Sequence, residues 1–137
     1  MFSGIVQEKG NIKEIVSGNN IVTICIQCTE DFQKDVKEGD SVAVDGTCLT
    51  ITKINKGELY FDLVEETVSR TIGQKYEVDN HVNLENSLKF GGSIGGHLMS
   101  GHIHEKGKVL EVEIIGDSKN IVIDLPKKWA KYVFEKG

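Results

Sequence analysis

Gly4-Ile5-Val6-Gln7-Glu8-Lys9-Gly10 returns late in the chain as Gly101-His102-Ile103-His104-Glu105-Lys106-Gly107, 97 positions on. Asn20-Ile21-Val22 returns as Asn120-Ile121-Val122 at a spacing of 100, which implies a three-residue insertion. Lys37-Glu38-Gly39 is matched by Glu135-Lys136-Gly137 at a spacing of 98. Three matches in the same order indicate an internal repeat, and a repeat decides domain architecture before any local pattern does. The first copy runs on past Gly39 to about residue 97, whereas the second stops at Gly137. The expected organisation is therefore one complete unit, residues 1–97, followed by an incomplete second copy, residues 98–137. So short a second copy cannot close a barrel by itself. It is expected to be partly disordered, packed on the first unit, or paired with the edge of another chain.

Within the first copy the pattern is that of short antiparallel strands. Apolar and polar residues alternate in Ile21-Val22-Thr23-Ile24-Cys25-Ile26, Ser41-Val42-Ala43-Val44, Cys48-Leu49-Thr50-Ile51-Thr52 and Leu59-Tyr60-Phe61-Asp62-Leu63-Val64. Gly18-Asn19-Asn20, Asp45-Gly46 and Asn55-Lys56-Gly57 supply turns that tolerate positive φ. Short helices are expected around residues 31–36 and 65–72, and one starting at Pro126 with Trp129 and Val133 on one face. Strands this short and numerous, with few helices, fit an all-β Greek-key barrel, which removes exposed edges by closing.

Charge and hydropathy limit the partners. Sixteen Lys and Arg against 21 Asp and Glu leave a net charge of −5 with no basic run, which argues against nucleic acid and anionic membranes. No window approaches the ~18 consecutive apolar residues of a membrane span, and the first residues lack a signal-type pattern. A cytoplasmic protein is expected. Three cysteines, an odd number, are expected to be reduced thiols.

The residues that carry chemistry are ambiguous on spacing alone. Cys25-Ile26-Gln27-Cys28 has the C-x-x-C spacing of metal and redox motifs but lies on a strand, where residues i and i+3 face opposite ways. One buried and one exposed cysteine is the better expectation. His97, His102 and His104 lie close together and offer the beginning of a metal site, with Glu105 or Cys48 as a further ligand, yet ordinary polar histidines fit as well. The stretch at residues 91–96 lacks the spacing of a phosphate loop and is expected to be a connector. Glu65-Glu66-Thr67 is accounted for as a helix start, with Thr67 hydrogen-bonding locally.

Five segments together are more specific. Met1-Phe2-Ser3-Gly4-Ile5-Val6, Gly39-Asp40-Ser41-Val42-Ala43-Val44-Asp45-Gly46-Thr47-Cys48-Leu49-Thr50, Glu66-Thr67-Val68-Ser69-Arg70-Thr71, Val82-Asn83-Leu84-Glu85 and Gly95-Gly96-His97-Leu98-Met99-Ser100-Gly101-His102 resemble, in this order, the riboflavin synthase (alpha-chain type) family. The resemblance spans the whole chain and implies a six-stranded Greek-key barrel with short helices, followed by a partial second barrel. It implies the dismutation of two molecules of 6,7-dimethyl-8-ribityllumazine to riboflavin and 5-amino-6-(ribitylamino)uracil, with no metal or organic cofactor. Family chains carry two such barrels and form trimers through a C-terminal helix; a dimer is the alternative for a chain of this length. Since an active site in the family joins barrels of neighbouring subunits, a non-catalytic lumazine- or flavin-binding module is the alternative function. A zinc-dependent hydrolase built on the histidines ranks last.

By resemblance, His102, His97, Cys48 and Ser41 are the catalytic candidates, with His102 first for proton transfer. The substrate-binding candidates are Phe2, Gly4, Ile5, Val6, Ser41, Cys48, Leu49, Thr50, Asp62, Leu63, Val64, Glu66 and Thr67. Among these, residues 62–64 act through backbone groups at the ring edge, and Glu66 and Thr67 hold ribityl or ring polar groups. The chain departs from the usual family pattern at Ser3, Asn86 and His104, where Thr, Arg and an acidic residue are common.

Overall fold

The computed structural model describes residues 1–92 and 94–136. Ser93, within the glycine-rich stretch, and Gly137, the last residue of the third repeat match, lie outside the described residues. The chain divides into two compact units, Met1–His104 and the residues from Glu105 on.

The first unit is a closed, wholly antiparallel barrel of six strands: β1 (Glu8–Gly18), β2 (Ile21–Gln27), β3 (Ser41–Val44), β4 (Thr47–Asn55), β5 (Glu58–Val64) and β6 (His81–Asn86). Their order around the barrel is β1-β2-β5-β4-β3-β6, with β6 pairing back to β1. Alternation along each strand sends one face inward. Ile24, Ile26, Val42, Val44, Leu49, Ile51, Leu59, Phe61, Leu63, Val82 and Leu84 fill the interior, together with Ile12 of β1. Burial of this set is the main driving force for closure. Gly10 of β1 stands where a Cβ would come within 2.6 Å of Ile26 Cγ2 and 2.8 Å of Leu84 Cδ1, so a side chain there would have to displace the core.

The four strands expected from alternation are present. β1 and β6 were not evident in the pattern, and in β1 the reason is a bulge. Its register against β2 shifts between Ile12 and Glu14, which places Ile12 and Ile15, three apart, both toward the core.

The first helix, α1 (Glu30–Gln33), is capped by the Thr29 hydroxyl, which accepts the Phe32 N–H at 3.2 Å. Its hydrogen bonding continues through further turns to Val36, and Phe32 and Val36 pack on the core. The second, α2 (Glu65–Arg70), ends at Thr71 and is followed by a 3₁₀ turn over Ile72–Lys75. Its N-cap is Val64, with no side-chain cap, so Thr67 does not serve the start of the helix as the sequence suggested. Instead its carbonyl receives both the N–H and the hydroxyl of Thr71.

The second unit contains an antiparallel hairpin, β7 (Lys108–Ile115) and β8 (Ser118–Asp124), and a 3₁₀ helix over Lys127–Tyr132. Pro126 stands just before that helix and Val133 just after it, one position outside the helix expected to carry them.

The hairpin reproduces the β1–β2 hairpin in detail. Its register shift lies between Val109 and Glu111, 97 positions after that between Ile12 and Glu14. Gly107 stands to Ile123 as Gly10 stands to Ile26, with a Cβ 2.5 Å from Ile123 Cγ2. The turn pair Ile115 and Ser118 lies 97 positions after Gly18 and Ile21. The repeat therefore holds a constant spacing of 97 across the hairpin, without the insertion suggested by Asn120-Ile121-Val122. That tripeptide occupies the places of Thr23-Ile24-Cys25 instead. The last match follows the same spacing, since Lys136, at φ +60°, takes the left-handed position held by Gly39 at φ +88°.

Candidate functional site

β4 and β5 part company at one end of the barrel. Their ladder runs only from Ile51 opposite Phe61 to Asn55 opposite Glu58. Beyond it, residues 47–50 of β4 stay paired with β3, and residues 62–64 of β5 stay paired with β2. The facing edges of these two segments are therefore outside any ladder, and backbone donors and acceptors there, other than the Cys48 N–H that the Gly101 carbonyl takes, require solvent or a ligand. Ile51 gives its N–H to the Asp40 carbonyl and receives the Gly39 N–H on the β3 side. Because these directions alternate along a strand, the peptide edge of Thr50 faces the gap.

Two cavities lie at this end of the first unit. One, of about 330 Å³, is bounded by the start of β4 (Thr47, Cys48), by α2 (Glu66, Thr67, Arg70) and by His102. The other, of about 420 Å³, is bounded by the N-terminal segment (Phe2, Gly4, Val6), by Asn83 and Glu85 of β6, and again by His102. Residues 101–104 line both and form the wall between them.

That wall is held from two sides. Phe2 and Met99 exchange backbone hydrogen bonds of 2.7 and 2.9 Å, and the Ser3 carbonyl accepts the His97 N–H at 2.9 Å. The Gly101 carbonyl accepts the Cys48 N–H at 2.8 Å. Gly101 has φ +75°, and a Cβ on it would lie 2.8 Å from Cys48 Cβ and 2.9 Å from Phe2 Cε2. No other residue fits so closely between them.

The charged and nucleophilic groups differ in setting. Glu66 pairs with Arg70 at 3.1 Å on the open face of α2, a weak interaction in solvent. Cys48 is half-buried, at the wall of the smaller cavity. Cys25 and Cys28 are both buried, a correction to the expected buried and exposed pair: Cys28 follows the end of β2 and tucks into the core near Phe32. Burial pushes the Cys25 thiol up and the Cys28 thiol up to about 11, away from the thiolate that metal binding or redox chemistry needs. Among the described residues no three His, Cys, Asp or Glu side chains converge as a metal site.

The lumazine binding domain model matches residues 3–87, which contain all six barrel strands. The chain belongs to the lumazine-binding domain family. It is similar to the riboflavin synthases of Chlamydia pneumoniae, 39% identical over 138 residues, and Photobacterium phosphoreum, 38% identical over 137. Each alignment covers 100% of this chain but only 66% and 63% of those proteins. The chain thus spans just under two thirds of the length of these relatives. The structure resembles that of LumP complexed with riboflavin, with a TM-score of 0.87, 30% identity, and coverage of 97% of this chain and 72% of that one. LumP complexed with 6,7-dimethyl-8-(1'-D-ribityl) lumazine gives a TM-score of 0.84 at 28% identity, covering 97% and 71%.

In this lumazine-binding barrel, the candidates named from sequence fall into three groups. Cys48, Glu66, Thr67 and His102 meet at the smaller cavity; Phe2, Gly4, Val6 and His102 meet at the larger. Thr50, Asp62 and Val64 border the gap between β4 and β5 with exposed side chains, and Asp62 accepts the Thr23 hydroxyl at 2.6 Å. Ser41 sits opposite Thr50 on β3. Leu49 and Leu63 turn their side chains into the core, and Leu49, two residues before Ile51, turns its peptide edge to β3 and not to the gap. Ile5 packs over Gly95 and Gly96, and His97 is tied to Ser3; neither lines the two cavities described above. Arg70, Ile103 and Glu85 line the cavities although sequence reasoning did not single them out as site residues. For Glu85 the signal was available, a charged residue closing the alternating run Val82-Asn83-Leu84.

Proposed function

We propose that the first barrel binds 6,7-dimethyl-8-ribityllumazine and riboflavin, and that it is the substrate-binding barrel of a riboflavin synthase. The observation that carries this reading is the unladdered gap between residues 48–50 and 62–64, flanked by the cavity of Cys48, Glu66, Thr67 and His102. A planar pteridine edge carries alternating carbonyl and N–H groups, which free strand edges can match. The hydroxyls and the carboxylate of Thr67 and Glu66 suit a ribityl chain of several hydroxyl groups.

The dismutation passes a four-carbon unit from one lumazine to the other, and its atoms balance without an oxidant or reductant. It requires loss of a proton from the methyl group at C7 of one ring and attack of a nucleophile at C7 of the other. In this reading His102, on the wall between the two cavities, moves the proton, since an imidazole ring can both accept and donate one. Cys48 and Ser41 flank the ring on adjacent strands, and His97 supports the wall. Backbone groups at the gap stabilise charge that develops on the pteridine oxygens. Two such barrels facing each other would hold both rings in register, worth on the order of 7–11 kcal/mol in well-oriented cases. Residues 98–137 are, in this proposal, part of that second lumazine-binding repeat.

A second reading is favoured by the structural neighbours, LumP in complex with riboflavin and with the lumazine: a barrel that binds without turnover. Incubating the chain with 6,7-dimethyl-8-ribityllumazine separates the two. Appearance of riboflavin absorbance, lost in His102→Gln, supports the synthase; quenched lumazine fluorescence without riboflavin supports the binding module. Absence of both defeats the lumazine reading altogether.

A further inference from the structure

Glu85, in β6, is only 6% exposed. A buried carboxylate is costly unless donors fill its lone pairs. Its Oε1 accepts the Ser3 N–H at 2.6 Å, the Ser3 hydroxyl at 2.7 Å and the Gly4 N–H at 3.2 Å, and Oε2 accepts the Gly4 N–H at 3.1 Å. All these donors belong to the N-terminal segment, and among the described residues no ion pair reaches Glu85. The grip passes onward. The Ser3 carbonyl holds the His97 N–H, Phe2 and Met99 hold each other, and the Gly101 carbonyl meets Cys48 N–H. One carboxylate thereby sets the register of the segment that presents His102 to both cavities.

We propose that Glu85 is a positioning residue of the ligand site: it fixes the N-terminal segment, and through it residues 97–102, against β4. The ligand part of this inference rests on the lumazine reading above; the register part does not. Hydrogen bonds to a charged acceptor are about twice as strong as neutral ones, so removing the charge should release the segment while the barrel stays closed. The barrel core contains neither Ser3 nor Gly4, nor Glu85 itself.

The test compares Glu85→Gln and Ser3→Ala with the unaltered chain by amide hydrogen exchange and lumazine fluorescence. Gln keeps the size but offers one acceptor oxygen and turns an NH₂ toward the Gly4 N–H. Exchange at Phe2, His97, Met99 and Cys48 is expected to speed up by about tenfold or more in Glu85→Gln, and in the same direction in Ser3→Ala. Amides of Ile24 and Phe61 are expected to keep their protection. The affinity for 6,7-dimethyl-8-ribityllumazine should fall by a similar factor, and the shift that the lumazine induces in the His102 ring proton signal should shrink. The double variant should be no weaker than Glu85→Gln alone, because both act on one linkage.

Unchanged exchange at Phe2, His97 and Met99 in Glu85→Gln would overturn the proposal. Equal acceleration at Ile24 and Phe61 would overturn it too, by making Glu85 a general stability residue. If Glu85→Gln fails to fold, Ser3→Ala decides by the same amides. If the unaltered chain does not bind the lumazine, the functional reading fails and the exchange pattern alone judges Glu85.

Discussion

Gly101 joins three parts of the site through one residue without a side chain. Its carbonyl takes the Cys48 N–H, and its α-carbon lies against both Cys48 and Phe2. Gly101→Ala introduces a left-handed non-glycine, at about 1–3 kcal/mol, and a Cβ that presses on Cys48 Cβ and on the buried Phe2 ring. The expected outcome is a fall in lumazine affinity of tenfold or more, read by fluorescence titration, with the far-ultraviolet spectrum of the barrel retained. The cysteines give a second prediction at this scale. Cys25 and Cys28 are buried with raised pKa values, whereas Cys48 is half-exposed on a cavity wall. A maleimide reagent at neutral pH should label Cys48 alone in the folded chain, and bound riboflavin should protect it, as mass spectrometry of digested protein would report. Labelling of Cys28 at a comparable rate would show that the end of β2 is open.

At the scale of elements, alternation made β2, β3, β4 and β5 readable, because each presents one face to the core and one to solvent. β1 broke the pattern at its bulge, where an extra residue brings Ile12 and Ile15 to the same side. The repeat was legible, yet its alignment drifted: identical residues at Asn20 and Asn120 outweighed register, which only backbone pairing shows. The gap between β4 and β5 was not legible from pattern, since residues 48–50 and 62–64 look like ordinary strand whether or not they pair. Resemblance alone pointed there. In the second unit, Glu105 accepts from Lys128, from the Trp129 indole N–H at 3.2 Å and from the Lys106 N–H, and these partners hold its carboxyl down to about 2. A carboxyl lowered in the folded state contributes fully above its unfolded value near 4.5 and loses that contribution as pH falls through about 2. Fluorescence of Trp129, the single tryptophan, should therefore stay constant through pH 4.5 and change near pH 2. A midpoint near 4.5, or no difference in Glu105→Gln, would show the pairing to be absent.

For the whole molecule, every residue that lines the two cavities or borders the gap belongs to the first unit, Met1–His104. Ligand binding should then be linked to the unfolding of that barrel and not to the β7–β8 hairpin. A ligand that binds only the folded state adds about 2.7 kcal/mol at a hundredfold excess over its Kd. A domain of about 100 residues gains roughly 4–8 °C in Tm per kcal/mol. Riboflavin at that excess should thus raise the barrel transition by at least about 10 °C, followed by amide exchange at Ile24 and Phe61, and leave the exchange of Val112 and Ile121 unchanged. Calorimetric titration should give one ligand per chain, because the wall at residues 101–104 serves both cavities and a single gap opens between β4 and β5 among the described residues. Two ligands per chain would mean that the larger cavity, walled by Phe2 and Glu85, holds a ring of its own, and the assignment of the gap as the single ring site would then have to be abandoned.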